Sequence, residues 1–393
     1  MSITPDSLHV TEGARYGEAF SANLAIPKWK GLKNHTHARI TRQWKTVVLI
    51  MLFLVLSLVL AWAAIFLTVA NRFYPAPRRN GIQQIIQEYH APRDGKRLPS
   101  AWVEDFSTGV IPVQCHSHND YWRQTPLYEG IAAGCISTEA DIWIKETSGS
   151  AQADLLVGHN KGSLRESRTL SSLYLDPLFD ILTHQNEKIS SNRLVGNGSV
   201  GVFDVAPEVS FVLLLDFKTS DNATWDTVVH QLNHLRSRDW LTHWTPEEGI
   251  VQRPLTIVAS GGVPFATIVR NTTYREIFYD APLQQLQDFQ TPFSKNNSYY
   301  ASDSLTKAVG SVMFGSLSKK QMSTVTAQVQ RAGELGLKSR YWDTPSWPIG
   351  WRNRIWDNLL KQGASMLNTD DLSAAARWDW QMCVVLGVNV CSS

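Results

Sequence analysis

Charge is what this sequence has least of. Only 18% of its 393 residues are charged and the formal net charge is +2. No basic surface of the kind that neutralises nucleic-acid phosphates is on offer, so nucleic acid is not an expected partner. The chain has no G-x-G-x-x-G turn and no P-loop, which removes the backbone cradles that hold dinucleotides and nucleoside triphosphates. It also lacks internal repeats and long low-complexity tracts, which excludes stacked solenoid architectures. Cysteine is scarce, and Cys115, Cys135, Cys383 and Cys391 have no zinc-site spacing. They can pair with one another or remain as buried thiols.

What is present first is an uncharged apolar run from Thr46 to Ala70, long enough to cross a bilayer as a helix. It lies too far from the amino terminus, and is too long, for the apolar core of a cleaved signal peptide, so a retained signal anchor is expected. Lys28, Lys30, Lys33, Arg39, Arg42 and Lys45 crowd its amino-terminal side, whereas Arg72, Arg78 and Arg79 follow it. The positive-inside rule makes this a single-pass membrane protein with a cytosolic amino terminus and a lumenal or extracellular carboxyl-terminal part. Asn197, Asn222, Asn271 and Asn296 open glycosylation sequons beyond the span, although Asn34-His-Thr also occurs on the cytosolic side. The expected organisation is a disordered cytosolic tail (1–45), the anchor (46–70), a stem (71–109) with a short amphipathic helix at 81–90, and one domain (110–393).

In that domain, short apolar runs rich in β-branched residues alternate with segments that read as helices. The strands are expected at 111–116, 137–144, 155–159, 211–217, 255–260, 276–280, 338–342 and 365–368. Crossover helices are expected at 126–134, 224–235, 317–335 and 351–362. Repeated strand–helix units of this number predict an α/β fold, a TIM-type (β/α)8 barrel, rather than an open doubly wound sheet.

The polar residues at the strand ends carry the chemistry. Side chains alternate along a strand, so His116 and His118 share one face, as do Glu139 and Asp141; His159 ends the next strand, and Asp216 and Lys218 end the one after. Carboxylates, imidazoles and a lysine converging at the mouth of a barrel suit metal-assisted phosphoryl chemistry. Glu139, Asp141 and Asp216 offer hard oxygen ligands for Mg²⁺ or Ca²⁺. His118 and His159 supply acid and base, with His116 as the alternative to His118. Lys218 would neutralise phosphoryl oxygens, or else pair with Asp216 or Asp141. Asp280, Trp342 and Asn368 are expected to line the pocket. Two other readings exist. His116-Ser-His118 fits the H-x-H pair of zinc barrels, but the strands at 255–260 and 276–280 carry no further histidine. A barrel retained as a binding or interaction module is the other.

Ser117-His118, Glu139-Ala-Asp141, Gly158-His159 and Asp216-Phe-Lys218 resemble, in that order, the motif set of the PLC-like phosphodiesterase superfamily. That superfamily includes glycerophosphodiester phosphodiesterases and sphingomyelinase D-type phospholipases, and the phrase Leu214-Leu-Asp-Phe-Lys-Thr219 is similar to the latter. The span, the segment from His116 to Arg123, Arg340-Tyr-Trp-Asp-Thr-Pro and Leu367-Asn-Thr-Asp-Asp resemble the fungal altered inheritance of mitochondria protein 6 group. The resemblance covers residues 110–385. It implies a TIM-barrel phosphoric diester hydrolase with one divalent cation and a histidine pair, acting on a phospholipid or glycerophosphodiester. Glycerophosphodiesterases follow the first histidine with Arg-Gly, where this chain has Asn119-Asp120, so Arg123 is the expected substitute for a phosphate-binding arginine. The distance from His118 to Pro126 resembles the family spacing, which favours His118 over His116.

Overall fold

Eight parallel strands close into a barrel in the computed structural model: β1 (Val113–Ser117), β2 (Cys135–Ile144), β3 (Phe211–Phe217), β4 (Leu255–Gly261), β5 (Ile277–Pro282), β6 (Ser298–Ser304), β7 (Lys338–Trp342) and β8 (Met366–Thr369). Each pairs with the next, and β8 returns to β1 with Cys115 opposite Leu367 and His116 opposite Asn368. The structure describes residues 32–73, 80–88, 105–145, 154–192, 199–313, 315–376 and the short strands at 384–385 and 388–389. Residues up to 75 form one compact unit and those from 76 onward a second.

The strand count matches the expectation, but its membership differs by one exchange. The run at 155–159 forms a short strand, Leu155–Val157, antiparallel to the end of β2, with Ile142 opposite Val157. It is a flap folded back from β2, which overhangs the barrel. The missing barrel strand is β6, Ser-Tyr-Tyr-Ala-Ser-Asp-Ser, which is too rich in serine to read as a strand. Its polar face is accommodated because the barrel interior is itself polar. Hydrogen bonds between non-adjacent strands define that interior: Tyr300 of β6 donates to Ser137 of β2 at 2.9 Å, and Arg340 of β7 donates to Asp280 of β5 at 2.8 Å.

Helices cover the outside. Those at Tyr128–Ala132, Asn222–Gln231, Lys319–Glu334 and Ile349–Lys361 fall where the apolar periodicity places crossovers. The Lys319–Glu334 helix starts on a capping box, in which the Ser318 side chain accepts from the Gln321 backbone and the Gln321 side chain accepts from the Ser318 backbone. The helix Asp176–Asn192 was not anticipated. The stem helix Gly81–Glu88 is docked on the barrel: Ile82 and Ile85 are buried in the same apolar cluster as Leu127 and Ile131. Burial of each contributes about 1.5–3 kcal/mol.

Cys115 of β1 and Cys135 of β2 form a disulfide, which settles one pairing among the four cysteines. Cys383 and Cys391 lie outside the described residues. In the first unit one helix runs from Leu32 to Phe73, reaching back into the segment expected to be tail, and its stretch Arg42–Ala70 is apolar and long enough to be a candidate membrane span. None of that stretch is buried by the protein, unlike a core helix of a soluble domain.

Candidate active site

The polar strand ends meet at the carboxyl-terminal mouth. β2 brings Glu139 and Asp141, and β3 in register beside it brings Asp216, opposite Asp141. Lys218 follows directly, its backbone N–H bonded to the Ile142 carbonyl. His118 continues β1 by one step, with its N–H on the Thr369 carbonyl, which sets it beside Asp370 beyond β8. His159 arrives by the flap: the Gly158 N–H bonds to the Asp141 carbonyl and its carbonyl accepts from the Trp143 indole. His159 is thus placed 3.4 Å from Asp141 although its strand is outside the barrel.

Ligand oxygens of Glu139, Asp141 and Asp216 lie within 4.8 Å of one another, a group that could hold a metal ion. Asp141 Oδ1 is buried without a hydrogen-bond partner, an acceptor that a cation would satisfy. The other oxygen, Oδ2, receives the Lys218 ammonium at 2.8 Å and lies 2.8 Å from the Tyr121 hydroxyl and 3.4 Å from His159 Nδ1. Asp216 accepts from Ser260 at 2.9 Å through Oδ1 and from Lys218 through Oδ2. Gly261 leaves room for this carboxylate: a Cβ there would stand 2.2 Å from Asp216 Oδ1, and its φ of +73° suits glycine. The donor set and the orphaned oxygen fit a hard divalent cation.

Electrostatics separate these groups. Burial and then the charge of Glu139 push the Asp141 carboxyl up to about 6. Burial would raise Glu139 too, but the His116 hydrogen bond and the charges of His118 and Arg340 outweigh it and hold Glu139 below the usual carboxylate range. For Lys218 burial favours the neutral form, yet Asp216 and Asp141 raise its pKa.

The two histidines of the His-Ser-His motif differ sharply. His116 is wholly buried, with Nδ1 2.7 Å from Ser137 Oγ and Nε2 3.2 Å from Glu139 Oε2. Burial and then the Arg340 charge depress its pKa to about 4, so it is neutral near pH 7. His118 is partly open, 3.9 Å from Glu139 and 2.9 Å from Asp370. Burial works against its charged form, but the Asp370 hydrogen bond and the charges of Glu139 and Asp370 win, and its pKa is raised. His159 is half-exposed beside the Trp122 ring, 5.2 Å between centroids.

Of the expected pocket residues, three are held by hydrogen bonds. Arg123 donates to Ser117 Oγ at 2.8 Å and to the Asp370 carbonyl at 3.1 Å, bracing the β1 loop against the β8 loop. Asp280 and Asn368 lie inside the barrel, both bonded to Arg340. Trp342 is 40% exposed at the end of β7. Three site residues were not foreseen. Asp370 follows β8 directly, two residues beyond Asn368, so the same alternation that links His116 to His118 would have found it. Tyr121 lies on the β1 loop, and burial followed by the Asp141 charge raises its phenol, keeping it a donor. Arg340 gave no signal of its own, because Lys338 is a second cation in the same strand.

Residues 104–280 match a family model described as AIM6-like phosphodiesterase domain. A protein of Arthroderma benhamiae named altered inheritance of mitochondria protein 6 homolog is 37% identical over 280 residues, covering 69% of this chain and 85% of that one. Altered inheritance of mitochondria protein 6 of Eremothecium gossypii is 34% identical over 286 residues, covering 69% and 71%. The protein of that name from Saccharomyces cerevisiae is 30% identical over 333 residues, covering 79% and 83%. No solved structure matches the chain.

Proposed function

The chain belongs to the altered inheritance of mitochondria protein 6 family, and from that membership and the barrel mouth we propose that it is a membrane-anchored phosphoric diester hydrolase acting on a phospholipid or glycerophosphodiester. One observation carries the reading: two open imidazoles flank one carboxylate cluster, His118 beside Glu139 and His159 beside Asp141. Glu139, Asp141 and Asp216 hold Mg²⁺ or Ca²⁺, which when bound offsets charge on the phosphoryl group.

His118, whose charged form Asp370 stabilises, gives the proton to the leaving oxygen. His159 takes the proton from the attacking oxygen, which belongs to water or to a neighbouring substrate hydroxyl. Lys218 adds a fixed positive charge beside the reacting group. Trp122 and Trp342, exposed near the mouth, suit an apolar substrate tail. The barrel lies outside the cytosol, with glycans at Asn197, Asn222, Asn271 or Asn296; the last three are exposed.

A second reading, a barrel retained for binding, is favoured by the pairing of Lys218 with both Asp141 and Asp216, which compensates those charges without a cation. A panel of phospholipids and glycerophosphodiesters assayed with and without Mg²⁺ or Ca²⁺ separates the two. Metal-dependent turnover that falls roughly 10²–10⁴-fold in His118→Ala and in His159→Ala supports hydrolysis. Absence of turnover on every diester, with no Mg²⁺ or Ca²⁺ binding, supports the binding module.

A further inference from the structure

Three side chains that this chemistry does not use stand in single file beneath the carboxylates. Tyr300 donates its hydroxyl to Ser137 Oγ at 2.9 Å, Ser137 Oγ is 2.7 Å from His116 Nδ1, and His116 Nε2 is 3.2 Å from Glu139 Oε2. Tyr300, Ser137 and His116 are each 0% exposed. An ionised carboxylate only accepts, so the hydrogen between His116 and Glu139 sits on Nε2. A neutral ring then leaves Nδ1 bare, and Nδ1 must receive the Ser137 hydrogen. The Ser137 oxygen in turn accepts from Tyr300. Ser137, enclosed and already accepting from Tyr300, has His116 Nδ1 within reach as the acceptor for its own hydrogen, so the geometry itself leaves Nδ1 bare. Every hydrogen in the file is thereby directed from Tyr300 toward Glu139.

We propose that Tyr300 and Ser137 are positioning residues that hold His116 as the neutral Nε2–H tautomer, making it a fixed donor that aims the Glu139 carboxylate at the cation and takes no part in proton transfer. This rests on the reading of Glu139 as a metal ligand. Hydrogen bonds behind a ligand set its orientation and basicity, and their loss weakens metal binding. The file crosses the barrel through β6, β2 and β1, so it is fixed by the strands and not by the loops at the mouth. It also divides the His-Ser-His motif by role: loss of His116 acts on cation affinity, and loss of His118 acts on turnover.

The test uses the full chain in detergent micelles, free of metal, with ¹⁵N-labelled histidine; the His116 signals are identified by their loss in His116→Gln. The expected wild-type spectrum shows Nδ1 unprotonated and Nε2 protonated. Ser137→Ala should move the His116 Nδ1 resonance toward that of a nitrogen without a hydrogen bond, and the conservative Tyr300→Phe should move it by less. Mn²⁺ titration should then show affinity reduced about 10–100-fold in His116→Ala and by a smaller factor in Tyr300→Phe, with the pH-rate profile of Tyr300→Phe unshifted. An Nδ1–H tautomer or a doubly protonated ring in the wild type overturns the proposal, as does a Ser137→Ala variant with an unchanged Nδ1 resonance and unchanged Mn²⁺ affinity. A wild type that keeps the Nε2–H tautomer but binds no Mn²⁺ overturns the ligand role of Glu139 and the functional reading, while the hydrogen-bonded file stands.

Discussion

Asp141 is the residue on which pH acts most directly. With its pKa pushed up to about 6 by burial and by Glu139, it carries a proton below that pH, and a cation must displace the proton to bind. Affinity for Mg²⁺ or Ca²⁺ should therefore rise with pH through about 6 and level off above it, falling about tenfold per pH unit on the acid side; calorimetry across pH 5 to 8 measures this. Asp370 acts on His118 in the opposite sense from burial. Removing its charge in Asp370→Asn takes away contributions that raise the His118 pKa, so the pH-rate limb belonging to His118 should move to lower pH. The loss in kcat should stay below the roughly 10²–10⁴-fold expected for removing the imidazole itself. An unmoved limb would show that His118 is not the group being titrated.

At the scale of elements, the barrel places the site through register and through space left open. β2 and β3 run side by side with Asp141 opposite Asp216, and the first residue after Ser260 on β4 must have no side chain. In Gly261→Ala the new Cβ would collide with Asp216 Oδ1, and the positive φ adds about 1–2 kcal/mol of strain. Thermal unfolding should show that loss together with weakened divalent binding, whereas strain alone would leave affinity unchanged. The Cys115–Cys135 disulfide closes a 20-residue separation between β1 and β2. Replacing both cysteines by serine should lower unfolding free energy by about 3 kcal/mol in denaturant titrations.

For the whole molecule, the consequence of the apolar helix is topological. The proposed orientation predicts that the barrel is protected from protease added to sealed vesicles whose cytosolic face is outward, and that glycosidase increases electrophoretic mobility if Asn222, Asn271 or Asn296 is modified. Digestion of the barrel in intact vesicles would place it on the cytosolic side instead. The stem helix Gly81–Glu88 belongs to the barrel's own compact unit through Ile82 and Ile85, so truncation for expression should begin before residue 80. Ile82→Asp should reduce the stability of the barrel itself, which a flexible stem would not do.

Period-two alternation was enough to put His116 with His118 and Glu139 with Asp141, because alternation is a property of any extended chain. The uncharged run from Thr46 to Ala70 likewise declared itself by length alone. Tertiary structure decided the rest. The run at 155–159 reads as a strand either way, and only pairing with the overhanging end of β2 makes it a flap. β6 is a strand because Ser302 and Tyr300 bond Arg340 and Ser137, partners that are remote in sequence. The contrast in environment between His116 and His118 is likewise decided by neighbours: one ring is enclosed by Ser137, Glu139 and a buried arginine, and the other opens toward Asp370. A sequence fixes which groups are available, but burial and distance set their protonation, and both arise only when the barrel closes.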